Sequence, residues 1–380
     1  MNLSGKYKTN LSRDAEYKSF SPTYLPLDRT FGFDDETIQS LVNARTELAR
    51  LDMLTSKIPN MNLFMTMYVK KEALLTSQIE GTQATLEDVL DPMIDENTNL
   101  NIRDVINYIH ASEYAIDRLN TLPLCNRLIK EAHAELMKNV RGQEKNPGKF
   151  RTSQNWIGPK GSTLKNARYI PPNPEDMKQA MGNLENYMNE ESGVDVLIRT
   201  ALVHYQFETI HPFLDGNGRV GRLLIILMLM HCKVLSKPVL YISYFLKKNR
   251  TEYYDKMMEV REKGNYDQWI VFFLEAIYES AKDAIANIER LEVLHNKVSQ
   301  QIAQMGRLSK NARVVFEYLE SNPIIEIKKT SKDCNLTYNT VSHVVTEFCD
   351  MGILNKVKNV SRNRIFIFSE YVAILKDGIE

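Results

Sequence analysis

The stretch that most constrains this chain is His211-Pro212-Phe213-Leu214-Asp215-Gly216-Asn217-Gly218-Arg219-Val220-Gly221-Arg222. It packs a base, a hard-metal ligand, three glycines and two guanidiniums into twelve residues, and the apolar run Leu223 to Met230 follows at once. That order predicts a polar loop feeding directly into a buried helix. A helix N-terminus carries unpaired amide N–H groups and the positive end of the dipole, so it suits an anion such as phosphate. Gly216 to Gly221 also spells GxGxxG, the dinucleotide fingerprint. That fingerprint follows a buried strand and precedes an acid at the end of a second strand. Here the preceding Gln206 to His211 is mixed in character, and Tyr241-Ile242-Ser243 follows downstream. A Walker A loop requires Gly-Lys-Ser/Thr, which the stretch lacks.

At 380 residues the chain exceeds one ordinary core, and two or three domains are expected. Lys plus Arg equals Asp plus Glu, 48 against 48, which argues against a whole-protein polyanion binder while leaving room for a local basic face. Cys125, Cys232, Cys334 and Cys349 have neither CxxC nor zinc spacing and read as reduced, buried thiols. No apolar run approaches the roughly 18 residues of a membrane span, and the polar opening Met1 to Lys6 lacks a signal-peptide core. A cytoplasmic protein without membrane partners is expected.

Residues 1 to about 33 read as an extended arm pinned by aromatics, with Phe20-Ser21-Pro22-Thr23-Tyr24-Leu25-Pro26-Leu27 at its centre. Asp34 and Asp35 sit where an N-cap and a first-turn acid belong. A second helix is predicted from Asn62 to Ile79, stopping at Glu80-Gly81 with the glycine just past its end. Read from the residues alone, Glu80 is a solvated surface acid at a mildly unfavourable helix end. Thr85 and Asp88 resemble a capping box. Arg103 to Leu119, Leu128 to Val140, Pro174 to Tyr187 and Val194 to Phe207 have helical spacing. His110 and His133 have no partner at metal spacing and read as structural. Between Gly148 and Pro172 the pattern changes to a β-hairpin signal, which serves either as a lid or docking edge or as a plain loop. Asn249 to Val260 and Tyr266 to Arg290 return to helix, and Leu291 to Met305 reads as a polar connector at a domain boundary.

The last 75 or so residues predict a winged helix: helices at Ala312 to Leu319, Ile327 to Cys334 and Tyr338 to Met351, then strands Leu354 to Val360 and Arg364 to Phe368 around Ser361-Arg362-Asn363. Lys328, Lys329, Lys332, Lys356, Lys358, Arg362 and Arg364 concentrate there. The recognition-helix positions Tyr338, Asn339, Thr340, Ser342 and His343 include no Arg or Lys, so DNA binding and protein docking both stay open.

The central loop divides into physical roles. Gly216 and Gly218 let backbone amides approach a phosphate. Arg219 and Arg222 stand three apart and need an anion or acid between them. Asp215 is a hard oxygen ligand suited to Mg²⁺, and His211 can accept a proton near neutral pH. Phe213 anchors the loop.

HPFLDGNGRVGR resembles the signature of the Fic family, commonly written HxFx(D/E)GNGRxxR, with every fixed position matched. Thr76-Ser77-Gln78-Ile79-Glu80-Gly81 is similar to the family's inhibitory motif (S/T)xxxE(G/N). The FSPTYLPL arm, the PGKFR segment with its following hairpin, and the C-terminal winged helix resemble one multidomain bacterial subgroup. The resemblance implies a mainly α protein: a Fic-type helical bundle with a β-hairpin flap, plus a C-terminal winged-helix domain. The expected division is an N-terminal arm and inhibitory-helix region at 1–95, a catalytic domain at 96–290, and a linker helix with the winged helix at 291–380. It implies transfer of AMP from ATP, with Mg²⁺, to a Ser, Thr or Tyr hydroxyl of a target protein, with self-modification included. His211 would be the general base and Asp215 the Mg²⁺ ligand. Gly216, Asn217 and Gly218 would form the anion hole, within a nucleotide-binding set completed by Arg219, Val220, Gly221, Arg222 and Asn249. Asn249 reads equally as an N-cap. Glu80 would bridge to Arg222 and block the γ-phosphate, and the hairpin Gln154 to Tyr169 would pair with an extended target segment. The alternatives are removal of AMP at the same site and a nucleotide-sensing DNA-binding regulator. Target identity, nucleotide preference and a homodimeric state are not legible.

Overall fold

The computed structural model describes residues 4–12, 15–28, 33–57, 61–93, 99–138, 145–159, 161–357 and 364–377. Two helices form its centre, α7 (Val196–Ile210) and α8 (Asn217–His231), joined by the loop that opened the sequence argument. Every residue of α7 from Leu197 onward is buried, as is α8 from Arg219 to Leu229. A helix that is apolar all round belongs inside, and the run Leu223 to Met230 goes there for that reason.

Around this pair lie α1 (Asp35–Lys57), α2 (Met61–Ile79), α3 (Leu86–Leu90), α4 (Leu100–Arg118), α5 (Asn126–Leu136) and α6 (Pro174–Asn189). The shell is completed by α9 (Ser243–Lys248), α10 (Arg250–Lys263) and α11 (Tyr266–Ala303). Local signals set many of these ends. Asp34 Oδ1 accepts from the Thr37 N–H at 2.9 Å and opens α1. Thr85 and Asp88 make the reciprocal capping box of α3. α2 stops at Ile79, and Gly81 follows at φ +98°. Glu72 and Thr76 of α2 and Glu80, one residue past its end, recur every four positions and are turned toward α8 and α9.

α11 runs 38 residues without a break through the expected boundary at 290/291. Its apolar positions continue on one face through Leu291, Leu294, Val298 and Ile302, all buried. The polar residues that suggested a connector lie on the opposite face. One continuous buried cluster therefore extends from Leu25 to Leu375.

The C-terminal unit holds α12 (Ser309–Ser321), β3 (Ile324–Glu326), α13 (Ile327–Asp333), α14 (Tyr338–Asp350), β4 (Asn355–Lys356), β5 (Ile365–Ile367) and α15 (Ser369–Lys376). Its strands pair antiparallel in the order β3-β5-β4. Thr337 Oγ1 caps α14 through the Thr340 N–H at 3.2 Å, as its place in the sequence suggests. Strand β3 and helix α15 were not anticipated, because three and eight residues give too short a pattern to read. The turn Ser361-Arg362-Asn363 and Lys358 lie outside the described residues.

Two segments differ from expectation. The N-terminal arm folds back on itself, with β1 (Gly5–Ser12) antiparallel to β2 (Ala15–Pro22) and Tyr7 opposite Phe20. Phe20 behaves as a pin: it is fully buried, its N–H donates to Ile170 O at 2.9 Å, and its ring meets Tyr169. Polar residues dominate both strands and mask the alternation that would have announced them. The second segment, Gly148 to Pro172, was read as a hairpin. Among the described residues it keeps one antiparallel bridge, Ile157 with Tyr169, made by reciprocal bonds of 2.8 and 3.0 Å. Pro159, Pro171 and Pro172 have no N–H to donate to a longer ladder.

Trp269 of α11 sits at the hub of the core with 0% exposure. It donates Nε1–H to Ala201 O at 2.9 Å and packs on His204, Phe272 and Phe273 with centroids 6.0–6.1 Å apart. Trp269→Ala removes this plug and leaves a cavity, so a loss of about 3–5 kcal/mol is expected in urea unfolding at an unchanged m-value.

Candidate active site

The loop between α7 and α8 is built by side chains that satisfy its backbone. His211 ends α7 in the left-handed conformation, at φ +50° and ψ 61°. This is an uncommon region for a residue with a Cβ, so the surroundings must hold it. Arg151 does much of that. It is 2% exposed and donates Nε–H to His211 O at 3.0 Å, with Nη2 reaching Pro172 O and Ile210 O at 2.5 and 3.4 Å. These bonds satisfy carbonyls that the end of α7 would otherwise orphan. Asn155 Nδ2 adds bonds to His211 O and Phe213 O at 3.2 and 2.9 Å. Asn217 closes the loop from the other side: its Oδ1 accepts from the Phe213 N–H and its Nδ2 donates to Phe213 O, both at 2.8 Å. Gly216 then turns the chain into α8 at φ +75°, which a Cβ would disfavour.

His133 locks the loop's outer edge. Its Nδ1 accepts from the Gly148 N–H at 2.8 Å, so the hydrogen sits on Nε2 and is donated to Asp215 O at 3.0 Å. The ring stacks on Phe213, 3.7 Å away and 3° from parallel. Burial lowers its pKa to about 4. The sequence reading of His133 as structural describes it correctly, although it touches the site.

A cleft of about 290 Å³ opens above the loop, lined by His211, Leu214 to Arg219, Glu80, Gly81, Thr82, Asn101 and Asp104. His211 Nδ1 faces Glu208 O at 3.3 Å, so Nδ1 carries the hydrogen and Nε2 keeps its lone pair. Burial pushes the His211 pKa down to about 4, which leaves the ring neutral and basic at neutral pH. The first amides of α8, those of Asn217, Gly218 and Arg219, precede its ladder, which starts with the Val220 N–H to Gly216 O bond at 3.1 Å.

Three ion pairs line the site. Arg222 is 1% exposed and donates Nη2–H to Glu80 Oε1 at 2.5 Å and Nε–H to Thr76 Oγ1 at 2.6 Å. Burial alone would raise the Glu80 pKa, but the Arg222 guanidinium outweighs it and holds the carboxyl below its ordinary range. Arg219 meets Asp104 Oδ1 at 3.5 Å. Asp215 accepts the Gly216 N–H on Oδ1 at 2.7 Å and the Lys145 ammonium on Oδ2 at 2.9 Å. Desolvation raises the Asp215 pKa, and Lys145 more than reverses this, so the carboxylate stays ionised. Asp215 thus already holds a cation, as a metal ligand would. Among the described residues no three His, Cys, Asp or Glu side chains gather to hold a metal. A Mg²⁺ here would complete its shell from phosphate oxygens and water.

The two arginines, expected to share one anion, each answer to a separate acid: Arg219 to Asp104 of α4 and Arg222 to Glu80, just past the end of α2. Asn217 lends its amide to the N-terminus of α8, while its side chain is consumed by the loop. Val220 and Gly221 face the core instead of the cleft: Val220 is 3% exposed, and a Cβ on Gly221 would stand 2.1 Å from Glu208 Oε1. A Cβ on Gly218 would stand 2.2 Å from Glu80 Oε1, so the glycine makes room for the carboxylate. Asn249 lies outside the cleft lining. It occupies the N-cap position of α10 without a side-chain cap and donates Nδ2–H back to Phe245 O at 3.1 Å. Sequence reasoning missed Lys145, Asp104 and Arg151. Only Arg151 carried a signal, as the arginine of the PGKFR segment.

Residues 123–229 match the Fic/DOC family, and residues 38–117 match the Fic/DOC family N-terminal region. The segment that matches the Fic/DOC family contains the whole loop and ends at residue 229, two residues before the end of α8. Among curated proteins it is 25% identical over 306 residues to the protein adenylyltransferase Fic of Drosophila persimilis, covering 76% of this chain and 56% of that one. The corresponding protein of Drosophila erecta is 26% identical over 271 residues, 68% of this chain and 50% of that one. The chain spans about half the length of the curated relatives it matches. Its fold is that of a Fic family protein from Desulfovibrio desulfuricans G20, with a TM-score of 0.58 at 16% identity over 89% of this chain and 97% of that one. Among the described residues no helix is long and apolar enough to cross a membrane.

Phe213 is fully buried and its backbone is held by Asn217 alone on the N–H side. Asn217→Ala strands that N–H in the core, and a loss of about 1–3 kcal/mol is expected in chemical denaturation.

Proposed function

We propose that this protein is an adenylyltransferase that moves AMP from ATP onto a Ser, Thr or Tyr hydroxyl of a protein, itself included, and that Glu80 holds it in check. The observation that carries the reading is a neutral, proton-accepting His211 at the mouth of a cleft floored by the amides of a helix N-terminus. Curated relatives bearing the name protein adenylyltransferase Fic support it.

In this reading the polyphosphate lies against the amides of Asn217, Gly218 and Arg219, with the Arg219 and Arg222 guanidiniums compensating its charge. Mg²⁺ on Asp215 would neutralise phosphate charge and orient the leaving pyrophosphate. His211 Nε2 takes the proton of the target hydroxyl as its oxygen attacks the α-phosphorus, and the bond to pyrophosphate breaks. The Nδ1–H to Glu208 O bond fixes the tautomer this requires. The loop bridged at Ile157 and Tyr169 would be the flap that pairs with an extended target segment. We read α12 to α15 and their sheet as a winged helix, whose exposed α14 face (Tyr338, Asn339, His343) carries no Arg or Lys and suits a protein at least as well as DNA.

Glu80 and the nucleotide compete for Arg222. With the carboxylate on Nη2 at 2.5 Å, the terminal phosphate cannot take the same guanidinium edge. A second reading, hydrolytic removal of AMP, draws on the ionised Glu80 at the cleft rim, which could orient a water. Release of free AMP from a modified target by the wild type, lost in Glu80→Gly, separates the two.

Glu80→Gly should raise incorporation of labelled AMP at least about tenfold, the ratio that roughly 1.4 kcal/mol of competing interaction represents. Adding His211→Ala to that variant should return labelling to background, and equal labelling of wild type and Glu80→Gly sinks the proposed brake. The pH dependence carries a sign. His211 protonates only as pH falls through about 4, and Glu80 contributes to raising that value, so the acidic limb of kcat/KM for Glu80→Gly should lie at or below about 4 and not near 6.5, with rate lost on the acid side.

A further inference from the structure

Among the described residues, the charges at the cleft form ion pairs within the chain. Arg222 is held by Glu80, Arg219 by Asp104 and Asp215 by Lys145. The first pair accounts for the brake. The third concerns the opposite pole of the site and belongs to no part of the family signature. Lys145 precedes the PGKFR segment by two residues, and Gly148 within that segment is tied to His133. His133 in turn holds the carbonyl of Asp215, so the lysine and the aspartate are carried on one hydrogen-bonded frame.

The geometry at Asp215 leaves one oxygen for a cation. Oδ1 is taken by the Gly216 N–H at 2.7 Å, which ties the carboxylate to its own loop. Oδ2 is taken by Lys145 Nζ at 2.9 Å, and Asp215 is one of the residues that line the cleft. A Mg²⁺ requires about 2.0–2.1 Å to the same oxygen, and an ammonium at hydrogen-bond distance from that oxygen would then stand within about 3–4 Å of a divalent ion. The two cations exclude one another. Lys145 is 43% exposed and has a flexible four-carbon stem, so it can leave when the metal arrives.

We propose that Lys145 is a built-in placeholder for the metal: its ammonium occupies the cation position on Asp215 in the resting enzyme, must be displaced for the metal–nucleotide complex to seat, and thereby weakens metal binding. This rests on the reading of Asp215 as the metal ligand. Lys145 is accordingly a positioning residue. It keeps the Asp215 carboxylate compensated and aimed at the cleft while no metal is present, and it sets the metal concentration at which the site fills. A residue that merely braced the loop would weaken the metal site when removed. A placeholder strengthens it, and that opposite sign is the discriminating feature.

The test is a titration of the full-length protein with Mn²⁺, at a fixed concentration of a non-hydrolysable ATP analogue, read by water-proton relaxation enhancement. This signal distinguishes metal on the slowly tumbling protein from metal on free nucleotide. For Lys145→Ala the Mn²⁺ dissociation constant should fall about three- to tenfold, a range discounted for the exposure of the ammonium. Lys145→Arg, which keeps the charge, should stay within about twofold of wild type. Asp215→Asn should weaken binding at least about tenfold. If Lys145→Ala leaves the constant unchanged or raises it while Asp215→Asn weakens binding, the placeholder is overturned and the metal reading stands. If Asp215→Asn changes nothing, Asp215 does not hold the metal and both fall together.

Discussion

A single guanidinium buried in the helical core sets the terms for the rest of this structure. Arg222 stands on α8, immediately before the apolar run, and is 1% exposed. An unpaired charge at such a depth is strongly destabilising, so it must be met by hydrogen bonds and a counter-charge. α2 and the residue just past its end supply both: Thr76 through its hydroxyl and its carbonyl, at 2.6 and 3.2 Å, and Glu80 through its carboxylate. Two further carboxyls approach, Glu72 and Glu208, and burial pushes both up to about 7. Their charge is thus only partly available at neutral pH, and Glu80 is the dependable counter-ion. Burial alone would lower the Arg222 pKa, yet the Glu80 carboxylate raises it above its usual value. The group that stabilises the resting protein is the same one that a nucleotide would have to replace.

That logic extends around the cleft. Under the proposed reading, a site that takes a polyanion with a divalent cation must present strong charges of both signs, and each of these needs compensation within the folded chain. Here Glu80 compensates Arg222, Asp104 compensates Arg219 and Lys145 compensates Asp215. The compensating groups come from just past α2, from α4 and from the segment before the bridged loop, so three separate parts of the chain converge on one loop. The loop itself is bonded throughout. Arg151, Asn155, Asn217 and His133 saturate its backbone, and His211 is held left-handed as a consequence. The loop is thus held by buried hydrogen bonds, whereas the ion pairs around it include the part-exposed side chains of Glu80 and Lys145.

Much of the helical scaffold was legible because its signals are local. The capping box at Thr85 and Asp88, the cap at Asp34, the stop at Gly81 and the buried run after the loop each act within four residues. Elements fixed by distant partners were not. The strands of the N-terminal hairpin carry mostly polar residues, and β3 is completed only by β5, some forty residues later. The apparent connector after Arg290 misled because a helix that is polar on one face reads as a linker when averaged. Its other face stays buried as far as Ile302.

The sequence by itself determined the chemistry of the central loop: its base, its acid, its glycines and its two arginines lie within twelve consecutive residues, and their spacing carries the meaning. It also placed Glu80 beside a helix end, although the residues alone favour a solvated acid there. Only the tertiary structure decided what those groups touch. Arg222 and Glu80 are 142 positions apart, Lys145 and Asp215 are 70 apart, and His133 and Asp215 are 82 apart. No local pattern encodes such pairings. They arise because burial forces each charge and each orphaned backbone group to find a partner, and the packing of α2, α4, α5 and α8 determines which partner is within reach.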